Sequence, residues 1–178
     1  MQTNNGSEPV RWPEEGYSEG FVESDGEQQI PRIEASAVIA RPIEDVFAFT
    51  ANLEHEPIWI PGAIRSEYTS PGPVGVGTTG RSVGRGLGRT TKCTRTITRY
   101  EPNRLVTWET AAGGFRARQT WLFEPVPEGT RVTSIVETPW GLDGLKALFG
   151  RLSTGLILRI RQRGHAINLN NLKRLLEA

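Results

Sequence analysis

Apolar and polar residues alternate through most of the chain after residue 32, and this alternation predicts a largely β protein. A first strand-like segment covers residues 33–40, and six more follow one another between residues 63 and 139. Turns rich in proline, glycine and asparagine separate the later segments. Short strands joined by tight turns are typical of an antiparallel meander.

Helical patterns occur at two places in the chain. Two short helices are predicted at residues 42–53, where Pro42 opens the first turn, and at residues 52–62. Residues 142–177 contain no proline and predict a long C-terminal helix. Its apolar residues drift around the helix, which predicts a curve or a break near residues 153–155. The stripes are Leu145, Phe149, Leu152 and Leu156; then Ile157, Ile160, Gly164, Ile167, Asn171 and Leu175; then Leu169, Leu172 and Leu176.

The spacing of three glycines suggests a dinucleotide-binding site, but the residues that follow them argue against it. Gly75, Gly77 and Gly80 match G-x-G-x-x-G, which in dinucleotide-binding proteins joins a strand to a helix whose N-terminus holds the pyrophosphate. Here the residues after Gly80 predict strand, turn and strand. We therefore expect a tight turn and a strand bend, and no nucleotide.

Residues 1–30 differ from the rest of the chain. They carry seven acidic residues against Arg11 alone, together with Gly, Ser, Pro and Gln. Such a segment predicts a disordered acidic tail, which leaves residues 31–178 as one folded domain. Trp12, Tyr17 and Phe21 leave open that the tail docks on the domain or on a partner.

Composition narrows the function classes. The chain has 178 residues and a net charge of +1, so no strong field favours nucleic acid. No apolar run is long enough to cross a membrane, so stable membrane insertion is not expected. Cys93 is the only cysteine and predicts a buried, unreactive thiol. The first residues lack a secretory pattern, so we expect a cytoplasmic protein. His55 and His165 lie far apart and form no paired His/Cys motif, so we expect no metal. We expect no cofactor either.

The element order and several motifs resemble a known superfamily. The motifs are IEASAVIARPIEDVFAF, the W-x-P of residues 59–61, GPVGVGTTG, RYEPNRLVTWE, WLFEPVPEGTRVT and a terminal LKRLLE. Over residues 32–178 the chain is similar to the SRPBCC superfamily, also known as START-like or birch-pollen-allergen-like. The similarity is closest to its polyketide cyclase/dehydrase-like branch.

The resemblance implies an α+β helix-grip fold. In that fold a bent antiparallel sheet of six to seven strands wraps a long C-terminal helix, two short helices close one end, and a cavity lies between sheet and helix. It implies binding of a hydrophobic, aromatic or polyketide-like molecule, with cofactor-free cyclisation or dehydration as the chemistry. A non-catalytic carrier or sensor for a lipid or quinone is the alternative, and a partner-binding module is a third hypothesis. For the oligomeric state, we expect a monomer or a homodimer.

Aromatic residues are the main ligand-binding candidates. Alternation in residues 115–123 places Phe115, Gln119 and Trp121 on one face, with core packing as the alternative role for each tryptophan. The resemblance places Trp59 near the pocket entrance. The predicted ligand-binding residues are Trp59, His55, Phe115, Gln119, Trp121, Trp108, Ile160 and Gly164.

Polar candidates for chemistry are few. Arg95 shares a strand face with Cys93, Ile97 and Arg99, so either the alternation breaks or an arginine points inward. The resemblance implies that an inward arginine polarises a polyketide carbonyl. Arg81 is the rival, and an outward, solvated position stays open for both.

Carboxylates offer no acid-base pair in the sequence. Strand parity places Glu109, a weak catalytic candidate, and Glu137 outside, while Glu56 lies near the cavity mouth. Arg151, Arg159, Arg161 and Arg163 make the last helix basic, as a solvated face or as a docking strip for the acidic tail or an acidic partner.

Overall fold

The computed structural model describes residues 32–86, 89–113, 115–138 and 154–178. The predicted tail, Trp140, Arg151 and the helix predicted before residue 154 lie outside these residues. The strands are β1 Arg32–Ile39, β2 Ala63–Tyr68, β3 Thr79–Gly86, β4 Arg89–Glu101, β5 Leu105–Ala112, β6 Phe115–Val126 and β7 Gly129–Glu137. The helices are α1 Ile43–Thr50, a short 3-10 helix Leu53–His55, α2 Glu56–Trp59 and α3 Thr154–Glu177.

All seven strands form one antiparallel sheet in the order β1-β7-β6-β5-β4-β3-β2. The sheet is curved, and α3 packs on its inner face, so the predicted helix-grip fold is confirmed. Strand parity decides which residues face α3 and the short helices. Large apolar residues fill that inner face, including Ile39, Ile97, Val106, Trp121, Phe123 and Val132.

The first short helix closes one end of the inner face. Phe47 of α1 meets the ring of Phe123 edge-on, with the ring centroids 5.0 Å apart, and its ring also contacts Tyr100. Glu44 and Asp45 lie in the first turn, where the helix dipole favours them. The side chains of Val46 and Phe47 are buried, so α1 is held by its apolar face.

Helix α3 lies along β1. Leu169 and Leu172 are buried against the sheet, which confirms one of the predicted apolar stripes. Ile160 was predicted to bind ligand in the internal cavity, and this was wrong, because its side chain and that of Ile167 in the same stripe point to solvent, with 40% and 52% of their surface exposed. Apolar residues occur around much of α3, so periodicity alone could not select the inner face.

The glycine-rich stretch lies in a turn and a strand, as predicted. Gly75 and Gly77 belong to the connection from β2 to β3, and Gly80 lies within β3. The Gly77 amide donates to the carbonyl of Ile97. Leu53 packs so closely on Gly80 that a β-carbon there would collide with its side chain. Close packing therefore explains this glycine.

Among the described residues, no helix is both long and apolar enough to span a bilayer.

We predict that Gly80→Ala destabilises the fold by about 1–3 kcal/mol, the usual effect of overpacking. The added methyl group would meet Leu53 and would lie 3.0 Å from the carbonyl oxygen of Glu67. Urea unfolding measures the change. Gly75→Ala is the matched control, because nothing lies within 4 Å of its added β-carbon. Equal stability of the two variants would contradict the packing explanation.

Candidate functional site

A buried carboxylate marks the centre of the candidate site. Glu56 begins α2, and the preceding 3-10 helix is capped by Asn52, whose side chain accepts a hydrogen bond from the Glu54 amide. The chain then turns so that Glu56 points inward, and 8% of its surface is exposed. A buried carboxylate is stable only when its oxygens are paired.

Both oxygens of Glu56 are paired. Ser66 Oγ of β2 donates to Oε2 over 2.8 Å, and Ser82 Oγ of β3 lies 3.3 Å from the same oxygen. The two serine oxygens are 2.9 Å apart. Oε1 accepts from Nη1 of Arg95 and completes an ion pair. We call Glu56, Ser66, Ser82 and Arg95 the Glu56 cluster.

Arg95 reaches the cluster because β4 is irregular. Its register shifts between Ile97 and Arg99. Such a bulge reverses the direction of the following side chains. Arg95 and Ile97 consequently point inward, whereas Arg99 points to solvent and pairs with Glu101. Both alternatives that the sequence left open are thus realised, each by a different arginine.

The guanidinium of Arg95 remains charged in this setting. Burial by itself would lower its pKa, but the Glu56 carboxylate and the neighbouring Cys93 thiol outweigh burial and raise it. Nε of Arg95 is buried and has no hydrogen-bond partner among the described residues. The rest of the side chain keeps a small exposed surface, 15% of its total.

A cavity of about 280 Å³ adjoins the Glu56 cluster. It lies between the connection from α2 to β2 and the adjacent strands β3 and β4. Its walls combine the polar groups of Glu56, Ser82 and Arg95 with apolar side chains and exposed backbone. The remaining lining residues are Ile60, Pro61, Gly62, Ala63, Val83, Gly84, Arg85, Gly86, Thr91 and Cys93.

A second cavity of about 220 Å³ lies between α1 and the sheet, beside Phe47, Tyr68 and Val74. The Tyr68 hydroxyl there accepts from the Leu53 amide over 3.1 Å and contacts the Ala51 carbonyl. Burial raises the pKa of Tyr68, more than its hydrogen bond with Leu53 lowers it. Because this hydroxyl is already hydrogen-bonded to backbone groups, the second cavity offers a ligand fewer polar contacts than the first.

The other charged candidates lie on the outer face of the sheet. Arg81 pairs with Glu67, with 2.6 Å between Nε and Oε1. Glu109 pairs with Arg118 across 3.2 Å. Glu137 lies 4.0 Å from Arg32. Strand parity predicted the outward directions of Glu109 and Glu137 correctly, and none of these residues lines the cavity beside Arg95.

The predicted tryptophans are packed into the core. Trp59, Trp108 and Trp121 are each no more than 4% exposed. The rings of Trp59 and Trp121 meet edge-on with centroids 5.5 Å apart. Neither cavity described above has a tryptophan in its lining. The three tryptophans therefore have the core-packing role that was the alternative to ligand binding.

His55 is held by its neighbours. Its Nδ1 lies 3.1 Å from the Phe49 carbonyl, which can only accept, so Nδ1 carries the proton. Nε2 then accepts from Asn52 Nδ2 over 3.2 Å. The ring also stacks at 4.5 Å on Phe49. His55 thereby joins the end of α1 to the 3-10 helix.

A second polar group lies between α3 and the sheet. Gln119 Nε2 is 3.4 Å from Ser134 Oγ, which is 3.3 Å from His165 Nδ1. Burial, and secondarily the charge of Arg161, lowers the pKa of His165 to about 4. Among the ligand-binding candidates, Gln119 is thus joined through Ser134 to the partly buried His165.

The remaining candidates do not converge on this site. Ile160 lies on the solvent face of α3, and Gly164 follows one turn later at a partly exposed position. Phe115 begins β6 opposite Ala112, and its side chain lies outside what the structure describes. Within the described ranges, no cluster of three or more His, Cys, Asp or Glu residues could hold a metal ion.

Sequence reasoning missed the two serines and underrated Glu56. One usable signal was the small residues that alternate in β3 at Gly80, Ser82 and Gly84, because small inward residues leave room for a cavity. Nothing in the sequence linked Glu56 to Arg95, which lies 39 positions away.

Comparisons with known proteins agree with this architecture. The family model described as "Polyketide cyclase / dehydrase and lipid transport" matches residues 31–177. No curated protein sequence matches the chain.

Several solved structures share the fold. The Zhui aromatase/cyclase of Streptomyces sp. R1128 has a TM-score of 0.64 at 17% identity, over 84% of this chain and 94% of that one. A protein of Thermus thermophilus has a TM-score of 0.63 at 22% identity, over 82% and 97% of the two chains. A polyketide-cyclase-like protein of Corynebacterium glutamicum has a TM-score of 0.56 at 26% identity, over 84% and 93%.

We predict that removing one member of the Glu56–Arg95 ion pair lowers the free energy of unfolding more than removing both members. Glu56→Leu leaves the guanidinium buried without its partner, and losses of about 3–5 kcal/mol are typical of such a change. The double variant Glu56→Leu/Arg95→Met removes the charge with its partner and should recover much of that stability. Urea unfolding of the single and double variants gives the coupling energy. Additive losses would show that the two residues are not coupled.

We also predict that the stability of the fold depends on pH because His165 titrates differently in the folded and the unfolded chain. Between about pH 6.5, its unfolded pKa, and about 4, its folded pKa, the unfolded chain takes up a proton that the folded chain does not. This contribution to stability is complete above the unfolded pKa and is lost as pH falls through the folded pKa, and it amounts to at most roughly 3 kcal/mol.

Urea unfolding over this pH range, on the wild-type chain and on His165→Gln, isolates the effect. The variant should show a flatter pH dependence. Identical profiles for the two proteins would assign the pH dependence to other groups.

Proposed function

The chain belongs to the polyketide cyclase/dehydrase and lipid transport family, and we propose that it binds a hydrophobic, aromatic or polyketide-like molecule in the cavity beside Arg95. One observation carries this proposal. A guanidinium fixed by a buried carboxylate borders a cavity that is otherwise lined mainly by apolar side chains and backbone. Binding sites typically combine apolar walls with a few fixed polar groups.

The size of the cavity limits the ligand. At about 280 Å³ it lies just below the roughly 300–1,000 Å³ of typical small-molecule sites. Ile60, Pro61 and Val83 provide apolar contact, and Gly84 and Gly86 leave space along β3. A planar molecule of one or two rings with a carbonyl, enolate or carboxylate oxygen directed at Arg95 suits these walls.

Arg95 also suggests how such a protein would assist a reaction. Hydrogen bonds from a fixed cation to a ketone oxygen stabilise the negative charge that develops when the adjacent carbon loses a proton. Solvent water takes the proton that the carbon loses, the enolate attacks a second carbonyl in a cyclisation, and the resulting alkoxide regains a proton from water. Loss of one water molecule would then complete an aromatic ring. In this proposal Glu56 holds Arg95 in place, and Ser66 and Ser82 hold Glu56.

A carrier is the second candidate, and the state of Glu56 favours it. Both carboxylate oxygens already accept hydrogen bonds, and Oε1 is paired with the Arg95 cation, so a proton taken from a ligand would weaken the ion pair that holds Arg95. A site without a free base can recognise a ligand oxygen without transforming the ligand. Mass spectrometry of the native protein and of its denatured extract, before and after incubation with a linear polyketone, separates the two. A ligand lighter by one water molecule supports cyclisation with dehydration, whereas a retained ligand whose mass and chromatographic retention are unchanged supports transport.

We predict that the chain prefers an anionic aromatic probe over a neutral one of the same shape. Naphthoate should bind more tightly than naphthalene, because its carboxylate can accept from Arg95. A hydrogen bond to a charged group contributes about 1.5–3 kcal/mol, which corresponds to a preference of roughly 10- to 100-fold. Tryptophan fluorescence titration measures both affinities.

The double variant Glu56→Leu/Arg95→Met should lose this preference while the fold keeps its charge balance. Arg116→Met is the matched control, because Arg116 is exposed on β6 and lies outside the cavity lining. Equal affinities for the two probes in the wild-type chain, or no effect of the double variant, would refute the proposed role of Arg95.

A further inference from the structure

The solvent face of α3 has an unusual composition for an exposed helix surface. Ile160, Arg163, Ile167 and Arg174 follow one another at helical spacing and are all exposed, and Arg159 flanks them. Ile160 and Ile167 expose 40% and 52% of their surface. We call these five residues the α3 outer face. An exposed face of large apolar residues bordered by cations is typical of a surface that contacts another segment.

The charges of this face lack partners in the described part of the chain. No carboxylate there lies within ion-pair distance of Arg159, Arg163 or Arg174. By contrast, Lys173 on the neighbouring side of the helix pairs with Glu177 at 3.0 Å. The α3 outer face therefore has cationic capacity that the described residues do not use.

The path of β1 shows which segment begins beside this face. β1 and α3 run in the same direction, since Gln162 donates to the Glu34 carbonyl and Lys173 donates to the Val38 carbonyl. Arg32 precedes Glu34 by about 7 Å of strand, which equals four to five residues of helix at about 1.5 Å each. Arg32 is thus level with the turn of α3 that precedes Gln162, the turn that contains Arg159 and Ile160.

The residues before Arg32 have the composition that complements this face. Residues 1–31 contain seven acidic residues and one basic residue, and they also contain Trp12, Tyr17 and Phe21. The α3 outer face, from Ile160 to Arg174, is about 21 Å long. Fewer than ten extended residues would cover that length, so the segment is long enough.

We propose that residues 1–31 dock on the α3 outer face of their own chain. Acidic side chains of the segment pair with Arg159, Arg163 and Arg174, and its aromatic side chains cover Ile160 and Ile167. The attachment at Arg32 keeps the segment at a high effective concentration, so individually weak contacts suffice. Part of this contact is electrostatic, and it weakens when salt shortens the screening length from about 10 Å at 0.1 M to about 3 Å at 1 M.

A spin label on the segment tests the proposal in the full-length chain. Ser18→Cys is labelled in a Cys93→Ser background, and NMR signal intensities are read for the backbone amides. We expect the amides of Arg159, Ile160, Arg163 and Ile167 to lose intensity. The amides of Glu124 and Arg131, on the outer face of the sheet, should keep theirs. No loss on α3, or equal loss on both surfaces, would overturn the proposal.

Charge variants distinguish this contact from a general charge effect. Arg159→Glu/Arg163→Glu should restore the α3 signals, while unchanged shifts for Leu169 and Leu172 report an intact fold. The matched control is Arg116→Glu/Arg131→Glu, which makes the same change of charge on exposed strand residues. It should leave the α3 losses in place, and equal behaviour of the two variants would overturn the proposal.

Mixing experiments identify the occupant. Spin-labelled chains without isotope are mixed with isotope-labelled chains without a spin label. Intact signals in this mixture support docking within one chain. Loss of the α3 signals in the mixture would assign the face to a second copy and overturn the proposal.

Discussion

The need to pair a guanidinium before it is buried organises one end of this fold. Arg95 projects from the inner face of β4, and only 15% of its side-chain surface is exposed to solvent. A cation in that position is stable only beside an anion, and Glu56 supplies it from α2. Ser66 and Ser82 complete the arrangement from two further strands. One ion pair thus fixes α2 relative to β2, β3 and β4 and forms the polar wall of the cavity.

Much of the fold could be predicted from local patterns. Strand-like segments separated by turns predicted a first strand and six more, and seven strands are present in the described residues. These segments have clear periods and clear turns. The face of α3 could not be predicted in the same way, because its apolar residues occur all around the helix. Only the curvature of the sheet selects Leu169 and Leu172 for burial and leaves Ile160 and Ile167 exposed.

The site was harder to predict than the fold, for two physical reasons. Because β4 has a bulge, Arg95 points inward and Arg99 outward. None of the residues between them is of a type that would predict a bulge from sequence. The partner of Arg95 is distant in sequence and lies on a short helix whose orientation depends on tertiary packing. The tryptophans, in contrast, were visible in the sequence, but they pack on one another in the core. In this chain polar, small and aliphatic residues, and no aromatic residue, line the cavity beside Arg95.

The most direct test of the account is NMR observation of the Arg95 Nε–H group during titration with naphthoate. As the reporter on the guanidinium that borders the cavity, it should show the largest shift in the chain when the carboxylate binds, while Arg99 and Arg81, which pair elsewhere, stay unchanged. That result would place the ligand oxygen at the guanidinium held by Glu56. An unchanged Arg95 signal, with shifts concentrated around Tyr68 and Val74 in the second cavity, would contradict the account.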